Sequence, residues 1–269
     1  MSGRGRAVRI RARLGDRDLA LLETLQSQRL MTGQQLRRLY LPEGEQVTQA
    51  RKMRRTLSRL TELGVVVRLN RQIGGVHSGS EGHVYGLSGL GYAVLDEGGE
   101  GRRHRAVVEG KFAFQDHVLA ISELCVSLHE HSHRGAFDLL DFQAEPACWR
   151  RYTGIGGQLI TLKPDAFVRL GVGAYEVSAF VEQDLSSESL PTIYRKSQRY
   201  IEYWRTGVEQ HQRGVFPAVW WLAPDKKRLN GIVRTLRSLA HDAQALFRVA
   251  LTSEAVTLLG SVPDREAAS

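Results

Sequence analysis

The chain has 269 residues, 42% of them hydrophobic, which excludes a disordered protein and is enough for two globular domains. No apolar run approaches the ~18–20 residues that cross a bilayer, so neither a membrane span nor a membrane partner is expected. The formal net charge is +8, and residues 1–75 alone carry sixteen Lys or Arg against six Asp or Glu. The rest of the chain is therefore near neutral, so we expect the first domain to bind a polyanion and the second to have another task.

The first third of the chain predicts a basic arm, three helices and a β-hairpin. After the arm over residues 1–15, a helix over 16–27 is capped by Asp16 or Asp18, and a short helix over 33–40 is capped by Thr32. A third helix over 47–63 ends at Gly64. Its inward positions recur at spacings of three and four: Val47, Ala50, Met53, Leu57, Leu60 and Leu63. Strands over 65–69 and 83–87 then form a hairpin, and a short helix ends near residue 96.

This order of elements resembles the winged helix-turn-helix family, and residues 16–97 are identified as such a DNA-binding domain. In that fold the third helix enters the major groove of double-stranded DNA, and no cofactor is required. Its predicted groove-facing residues are Thr48, Gln49, Arg51, Lys52, Arg55 and Arg59. Further arginines would follow the phosphate backbone or enter a minor groove: Arg68 and Arg71 of the hairpin, and Arg4, Arg6, Arg9 and Arg11 of the arm. A winged helix used only for protein contacts is the alternative.

After a linker over residues 98–108, strands alternate with long helices. Helices are predicted over residues 112–131, 189–210 and 225–246, and strands over 137–143, 159–169, 173–181, 217–222 and 247–251. This pattern predicts an α/β domain over residues 109–258, with one mixed sheet flanked by helices, and a polar tail over 259–269.

The cysteines and the start of the chain both predict a cytoplasmic protein. Cys125 and Cys148 lack a CxxC spacing, which favours buried free thiols over a disulfide or a metal site. The arginine-rich N-terminal residues lack the apolar core of a signal peptide.

Acidic residues of the second domain lie near predicted strand ends. Asp165 follows Pro164, and Glu182 and Asp184, two residues apart, close the next strand and share one face if the strand persists that far. On the following helix, Lys196 and Tyr200 share a face. As an alternative to a site, Glu182 and Asp184 cap that helix and form surface ion pairs.

The same residues look like the PD-(D/E)xK nuclease pattern, which implies a restriction-endonuclease-like fold. By this resemblance Asp165, Glu182 and Asp184 would hold Mg²⁺ or Mn²⁺, and all three would act in catalysis with Lys196. The sequence departs from the pattern, because Asp184 stands where the motif has lysine and Lys196 on the next helix would replace it.

With the winged helix before them, these motifs resemble the replication-relaxation family of mobile genetic elements over residues 16–221. The residues that carry this resemblance are Pro164, Asp165, Glu182, Asp184, Ser189, Lys196 and Tyr200. It implies a DNA-binding protein in the replication or mobilisation of a plasmid or other element, with a relaxase, a replication initiator or a second copy of the chain as protein partner. Two alternatives stay open: a Mg²⁺- or Mn²⁺-dependent DNA endonuclease or nickase, and a winged-helix transcriptional regulator whose second domain dimerises or senses a ligand.

Overall fold

The computed structural model describes residues 3–69, 83–96, 112–154 and 156–261. They form an α/β protein that divides into two compact units, Met1–Val126 and Ser127–Ser269. The predicted linker over residues 98–108 and most of the predicted tail lie outside the described residues. Within the described ranges, no helix is both long and apolar enough to cross a membrane.

The first unit combines helices with a three-stranded antiparallel sheet. Its elements are α1 (Gly3–Arg11), α2 (Asp16–Gln28), β1 (Leu30–Thr32), α3 (Gly33–Tyr40), α4 (Gln46–Glu62), β2 (Val66–Leu69), β3 (Val84–Leu87), α5 (Gly89–Leu95) and the first part of α6 (Phe112–His133). The strand order is β1-β3-β2. Leucine and methionine side chains of α2, α3 and α4 share one core with Val66 and Leu87 of the sheet.

Local sequence signals set the helix ends of this unit. Thr32 caps α3 as predicted: its hydroxyl accepts a hydrogen bond from Gln35 N at 3.1 Å, and Gln35 Oε1 accepts one from Thr32 N at 2.9 Å. Gly64, with a φ of +79°, follows α4 and adopts the left-handed conformation that ends a helix without strain. At α2 the N-cap is Gly15, and Asp18 accepts a hydrogen bond from its N–H at 3.2 Å.

Three features of the first unit differ from the expectation. The predicted basic arm contains helix α1, because Ala7 and Ile10 give this segment an apolar side that is buried in the core. Val47, expected to face inward, is 54% exposed, because it lies in the first turn of α4 ahead of the buried stripe. Strand β1 escapes the sequence prediction because three residues are too few to show a period of two.

The second unit is built on a five-stranded mixed sheet. The strands of the whole unit, including two outside this sheet, are β4 (Asp138–Ala144), β5 (Arg150–Thr153), β6 (Leu159–Leu162), β7 (Ala166–Val172), β8 (Tyr175–Gln183), β9 (Ala218–Ala223) and β10 (Phe247–Leu251). Beside the end of α6, its helices are α7 (Leu190–Arg205), α8 (Val208–Arg213), α9 (Lys226–Arg237), α10 (His241–Gln244) and α11 (Ala255–Leu259). The sheet order is β10-β9-β8-β7-β4, in which β8, β9 and β10 are parallel. The pairs β8–β7 and β7–β4 are antiparallel, and β5 and β6 form a separate two-stranded sheet.

Helices α7 and α9 lie side by side on one face of this sheet. They connect β8 to β9 and β9 to β10, and successive right-handed crossovers in one direction place both helices on the same face. Their apolar side chains, including Ile193 and Ile232, share a core with Phe180 and Trp221 of the strands. Because both helices begin near the carboxyl ends of the parallel strands, this edge of the sheet brings their first turns close to the end of β8.

Three predicted segments of the second unit are shorter in the structure. The strand over residues 159–169 is split into β6 and β7 around Pro164, which has no backbone N–H for a strand ladder. The helix over 189–210 is split into α7 and α8 at Gly207, whose φ is +71°. The helix over 225–246 ends at Arg237, and α10 follows separately.

Candidate functional site

Helix α4 of the first unit presents cations on the face opposite its buried side. The buried positions of this helix are Met53, Leu57 and Leu60. Arg51, Lys52 and Arg55 are turned away from them and are exposed. Within the described part of the chain, none of these three cations forms an ion pair. The face therefore carries positive charge that no described carboxylate compensates.

Thr48 and Gln49, at the start of α4, are engaged with the turn that precedes it. The hydroxyl of Thr48 donates to Glu45 Oε2 at 2.7 Å, and Gln49 Nε2 donates to the carbonyl oxygen of Glu43 at 2.5 Å. Both side chains are half-buried. They hold the turn against the helix, so contact with a ligand through these groups requires the bonds to be exchanged.

The other arginines predicted to meet DNA have mixed environments. Arg59 lies 2.6 Å from Asp18 through Nη2 and Oδ1, so it ties the end of α4 to α2. Arg68 on β2 is exposed, and Arg71 lies outside the described residues.

The arginines of α1 belong to a packed helix. Arg6 and Arg9 are exposed, whereas Arg11 donates from Nη1 to the carbonyl oxygen of Val94 at 2.9 Å. The side chain of Arg4 lies outside the described residues. Extension of this segment along a DNA groove would require α1 to leave its core.

A cleft of about 680 Å³ lies between α4 and the strands β2 and β3. Its polar lining includes Arg54, Ser58, Glu62, Arg68 and His83. Arg54 was missed as a candidate, although its spacing of four from Ser58 places both on the side of α4 that faces the strands.

In the second unit, Asp165 and Glu182 face each other across β7 and β8. The N–H of Asp165 donates to the carbonyl oxygen of Val181 at 3.1 Å, and Asp165 Oδ2 accepts a hydrogen bond from Gln183 N at 2.8 Å. Asp165 is 8% exposed and Glu182 is 1% exposed. The antiparallel pairing thus buries two of the predicted acidic residues close together.

Glu182 is bound by two side chains of α7. The hydroxyl of Tyr200 donates to Oε1 at 2.6 Å, and Lys196 Nζ donates to Oε2 at 3.2 Å. Burial, and then the charge of Asp165, raise the pKa of Glu182 to about 8, against the opposing effect of Lys196 and Tyr200. Burial lowers the pKa of Lys196, but the carboxylates of Glu182 and Asp165 outweigh it, so that its pKa is raised and the ammonium group stays charged.

Asp184 is compensated by Arg228, a residue that sequence reasoning missed. Arg228 Nε lies 2.5 Å from Asp184 Oδ2 and Nη2 lies 3.0 Å from Oδ1, a bidentate pair. The same Nη2 donates to the carbonyl oxygen of Glu188 at 2.5 Å, and Glu188 Oε1 lies 2.8 Å from Lys196 Nζ. One network of charges therefore joins the end of β8 to the first turns of α7 and α9.

The sequence does contain a signal for Arg228. Three cations, Lys226, Lys227 and Arg228, open α9, where the positive end of the helix dipole disfavours them. An acidic partner offsets this cost for a cation in the first turn, and for Arg228 that partner is Asp184.

The predicted metal ligands do not fit a divalent cation. Mg²⁺ and Mn²⁺ require several oxygen atoms directed at the ion. Each carboxylate oxygen of Glu182 and Asp184 already accepts from Lys196, Tyr200 or Arg228. No group of three His, Cys, Asp or Glu suited to a metal occurs within the described ranges. The expected ligand set of Asp165, Glu182 and Asp184 is not formed, because cations from α7 and α9 neutralise two of its members.

The remaining predicted residues have structural roles. Ser189 is the N-cap of α7 and accepts a hydrogen bond from Thr192 N at 3.3 Å. Cys125 and Cys148 are buried free thiols, as predicted. Burial raises the pKa of each to about 12, so both thiols are protonated at neutral pH.

Comparison with known proteins identifies a family for the chain. The family model described as replication-relaxation matches residues 22–219, a range that includes α4 and the network around Glu182 except for Arg228. The searches of curated proteins and of solved structures found no match. Because the family model matches well over half of the sequence, the chain belongs to the replication-relaxation family.

Proposed function

We propose that the first unit is a winged helix-turn-helix domain that binds double-stranded DNA. We further propose that the protein acts in the replication or mobilisation of a plasmid or other mobile element, and the family description, replication-relaxation, supports a role in replication. The observation that carries the proposal is the row of exposed cations on α4, opposite its buried stripe, that form no ion pair with a described residue.

The elements of the first unit support this assignment. Helices α2 and α3 precede α4, and the strands β2 and β3 follow it as an antiparallel pair. In a winged helix-turn-helix domain the third helix of the motif enters the major groove and the strand pair contacts the adjacent DNA backbone. Counted from α2, the third helix of the motif is α4. Here α4 takes the first role and β2–β3, with exposed Arg68, the second.

The side chains of α4 suit different contacts. Arg51 and Arg55 reach outward and can bind guanine through two hydrogen bonds, whereas Lys52 suits a phosphate oxygen. Arg59 is paired with Asp18 and orients α4 on α2. DNA binding by this surface needs no cofactor.

The second unit, in this proposal, has a nuclease-like fold that serves as a platform. The mixed sheet with acidic residues at the end of β8 supports this assignment, because the resemblance to the PD-(D/E)xK pattern implies acidic residues at such a strand end. The pairing of Glu182 with Lys196 and of Asp184 with Arg228 favours a platform over a metal-dependent endonuclease. A relaxase, a replication initiator or a second copy of the chain as partner stays a prediction.

The test is DNA binding by an α4 variant. Arg51→Ala/Arg55→Ala is measured by fluorescence anisotropy on a duplex that the wild-type protein has selected from a random library. Each substitution is expected to reduce binding by about 1–3 kcal/mol while circular dichroism stays unchanged. The control variant Arg17→Ala/Arg134→Ala removes two exposed arginines from outside α4. Equal affinity of the α4 variant and the control would exclude α4 from the interface.

A further inference from the structure

The helices α7 and α9 concentrate positive charge that the near-neutral total of the second unit conceals. Together they contain nine Lys or Arg and a single acidic residue, Glu202. Averaging over the whole second unit hides this local excess.

The cations of these two helices divide into two groups. Lys196 and Arg228 turn inward to Glu182 and Asp184, and Arg205 lies 3.6 Å from Asp242. The others are exposed and form no ion pair with a residue that the structure describes. These six residues define the α7–α9 face: Arg195, Arg199, Lys226, Lys227, Arg234 and Arg237.

The two helices present this charge on the same side of the sheet. Arg195 and Arg199 are four residues apart on α7, and Arg234 and Arg237 are three apart on α9, so each pair shares a helix face. A Cβ atom placed on Gly231 of α9 would lie 3.5 Å from the side chain of Leu190 on α7, so the helices are in close contact. The α7–α9 face therefore lies on the exposed sides of two helices that contact each other on one face of the sheet.

Within the protein, these cations repel one another. Like charges three or four residues apart destabilise a helix, and α9 also places Lys226 and Lys227 at the positive end of its dipole. The acidic groups around them are few or already engaged: Glu202 is exposed on α7, Asp225 caps α9, and Glu188 binds Lys196. An external polyanion would relieve the repulsion.

The chemistry of the face fits a phosphate backbone better than an acidic protein. Protein interfaces have an apolar or aromatic centre. Among the large hydrophobic side chains of α7 and α9, all of them in the described part of the chain, only Tyr194 is exposed, at 36%. Arginine and lysine without apolar neighbours are typical of contacts to nucleic-acid phosphates.

We propose that the α7–α9 face is a second DNA-binding surface, which contacts the phosphodiester backbone without reading sequence. It adds a contact in the second unit to the one proposed for α4, and it does not depend on α4 being a DNA-binding helix.

The test is the salt dependence of binding to a duplex of random sequence by full-length variants. Arg199→Ala/Arg234→Ala removes one cation from each helix, and Arg151→Ala/Arg248→Ala is a control with the same net charge and exposed positions on β5 and β10. Because each phosphate contact contributes about 0.9 to the slope of log K against log salt, the α7–α9 variant is expected to lower this slope by about 2. At low salt its affinity is expected to fall about tenfold or more, and Arg199→Lys/Arg234→Lys to retain most of the affinity.

The same substitutions are repeated in the Arg51→Ala/Arg55→Ala background, so that the contributions of the α7–α9 face and of α4 to DNA binding are measured separately. A slope and affinity of the α7–α9 variant equal to those of its control, in both backgrounds, would overturn this inference and leave the role of α4 intact. A loss caused by the α7–α9 variant alone, with no effect of the α4 variant, would support the inference and refute the proposed role of α4. Unchanged tryptophan fluorescence, which reports the second unit, together with an unchanged circular dichroism spectrum confirms that each variant is folded.

Discussion

Replacing Lys196 by methionine is expected to destabilise the second unit in a pH-dependent way. Lys196 Nζ lies 3.2 Å from Glu182 Oε2, and Glu182 is 1% exposed. Methionine fills a similar volume but leaves the carboxylate without its cation. Most of the cost appears when Glu182 is ionised, since a protonated carboxyl group needs no counter-charge, and the other pair of Lys196, with Glu188, is partly exposed.

The magnitude follows from the burial of the pair. Removing one partner of a fully buried ion pair costs about 3–5 kcal/mol. The side chain of Lys196 is 32% exposed, so water screens part of the interaction, and a loss of about 2–3 kcal/mol is expected near pH 9. Near pH 5 the raised pKa of Glu182 keeps the carboxyl group protonated, and the loss is expected to stay below about 1 kcal/mol.

Tryptophan fluorescence during urea unfolding is a direct assay for this effect. All four tryptophans, Trp149, Trp204, Trp220 and Trp221, lie in the second unit. Lys196 Nζ is 5.9 Å from the centre of the Trp221 ring, so one of the reporters is next to the substitution. The transition that the fluorescence follows is therefore that of the unit that carries the change.

A double-mutant cycle with Glu182→Gln isolates the pair. In the Glu182→Gln background, Lys196→Met is expected to cost much less at pH 9, because the buried charge that Lys196 compensates is gone and only its partly exposed pair with Glu188 remains. An equal loss at both pH values, or an equal loss with and without Glu182, would refute the assignment of Lys196 as the counter-ion.

Two further outcomes are expected from the same site. Because burial raises the pKa of Glu182 to about 8, the folded state binds this proton more tightly than the unfolded state. The free energy of unfolding of the wild type should therefore fall as pH rises from 4.5 towards 8. Urea midpoints across this range should show a smaller fall in Glu182→Gln. Millimolar Mg²⁺ or Mn²⁺ should leave the melting temperature unchanged, since an ion that binds the folded state must stabilise it. The same ions should cause no nicking of supercoiled plasmid. A rise in melting temperature that disappears in Asp165→Ala would contradict the charge network described here.

The first unit was largely predictable because its signals are local. Thr32 with Gln35, Gly64, and the spacing of Met53, Leu57 and Leu60 each act within a few residues, and α3 and α4 follow from them almost to the residue. Helix α1 was not predictable, because four arginines dominate its sequence and the two apolar residues that bury it need a partner from elsewhere in the chain.

In the second unit the sequence placed the acidic residues but not their partners. Asp165, Glu182, Lys196 and Tyr200 meet, since strand and helix periodicity fix which residues share a face. The partner of Asp184 is 44 residues away on α9, a distance that no local periodicity spans. Without Arg228, the three carboxylates suggest a metal site, and with it they become part of a neutralised network.

The placement of the exposed cations on α7 and α9 depends on the cations of the same helices that turn inward. Lys196 attaches the second turn of α7 to Glu182, and Arg228 attaches the first turn of α9 to Asp184, at the end of β8. The exposed arginines project from the outer sides of the same two helices, so their spacing depends on how the inner cations hold the helices together. Lys196→Met is therefore expected to weaken DNA binding by the α7–α9 face above the pKa of Glu182 and to leave it intact below, although Lys196 itself touches no DNA. Measuring the salt slope of this variant at the two pH values separates the positioning role of Lys196 from the loss of one positive charge, which would act equally at both.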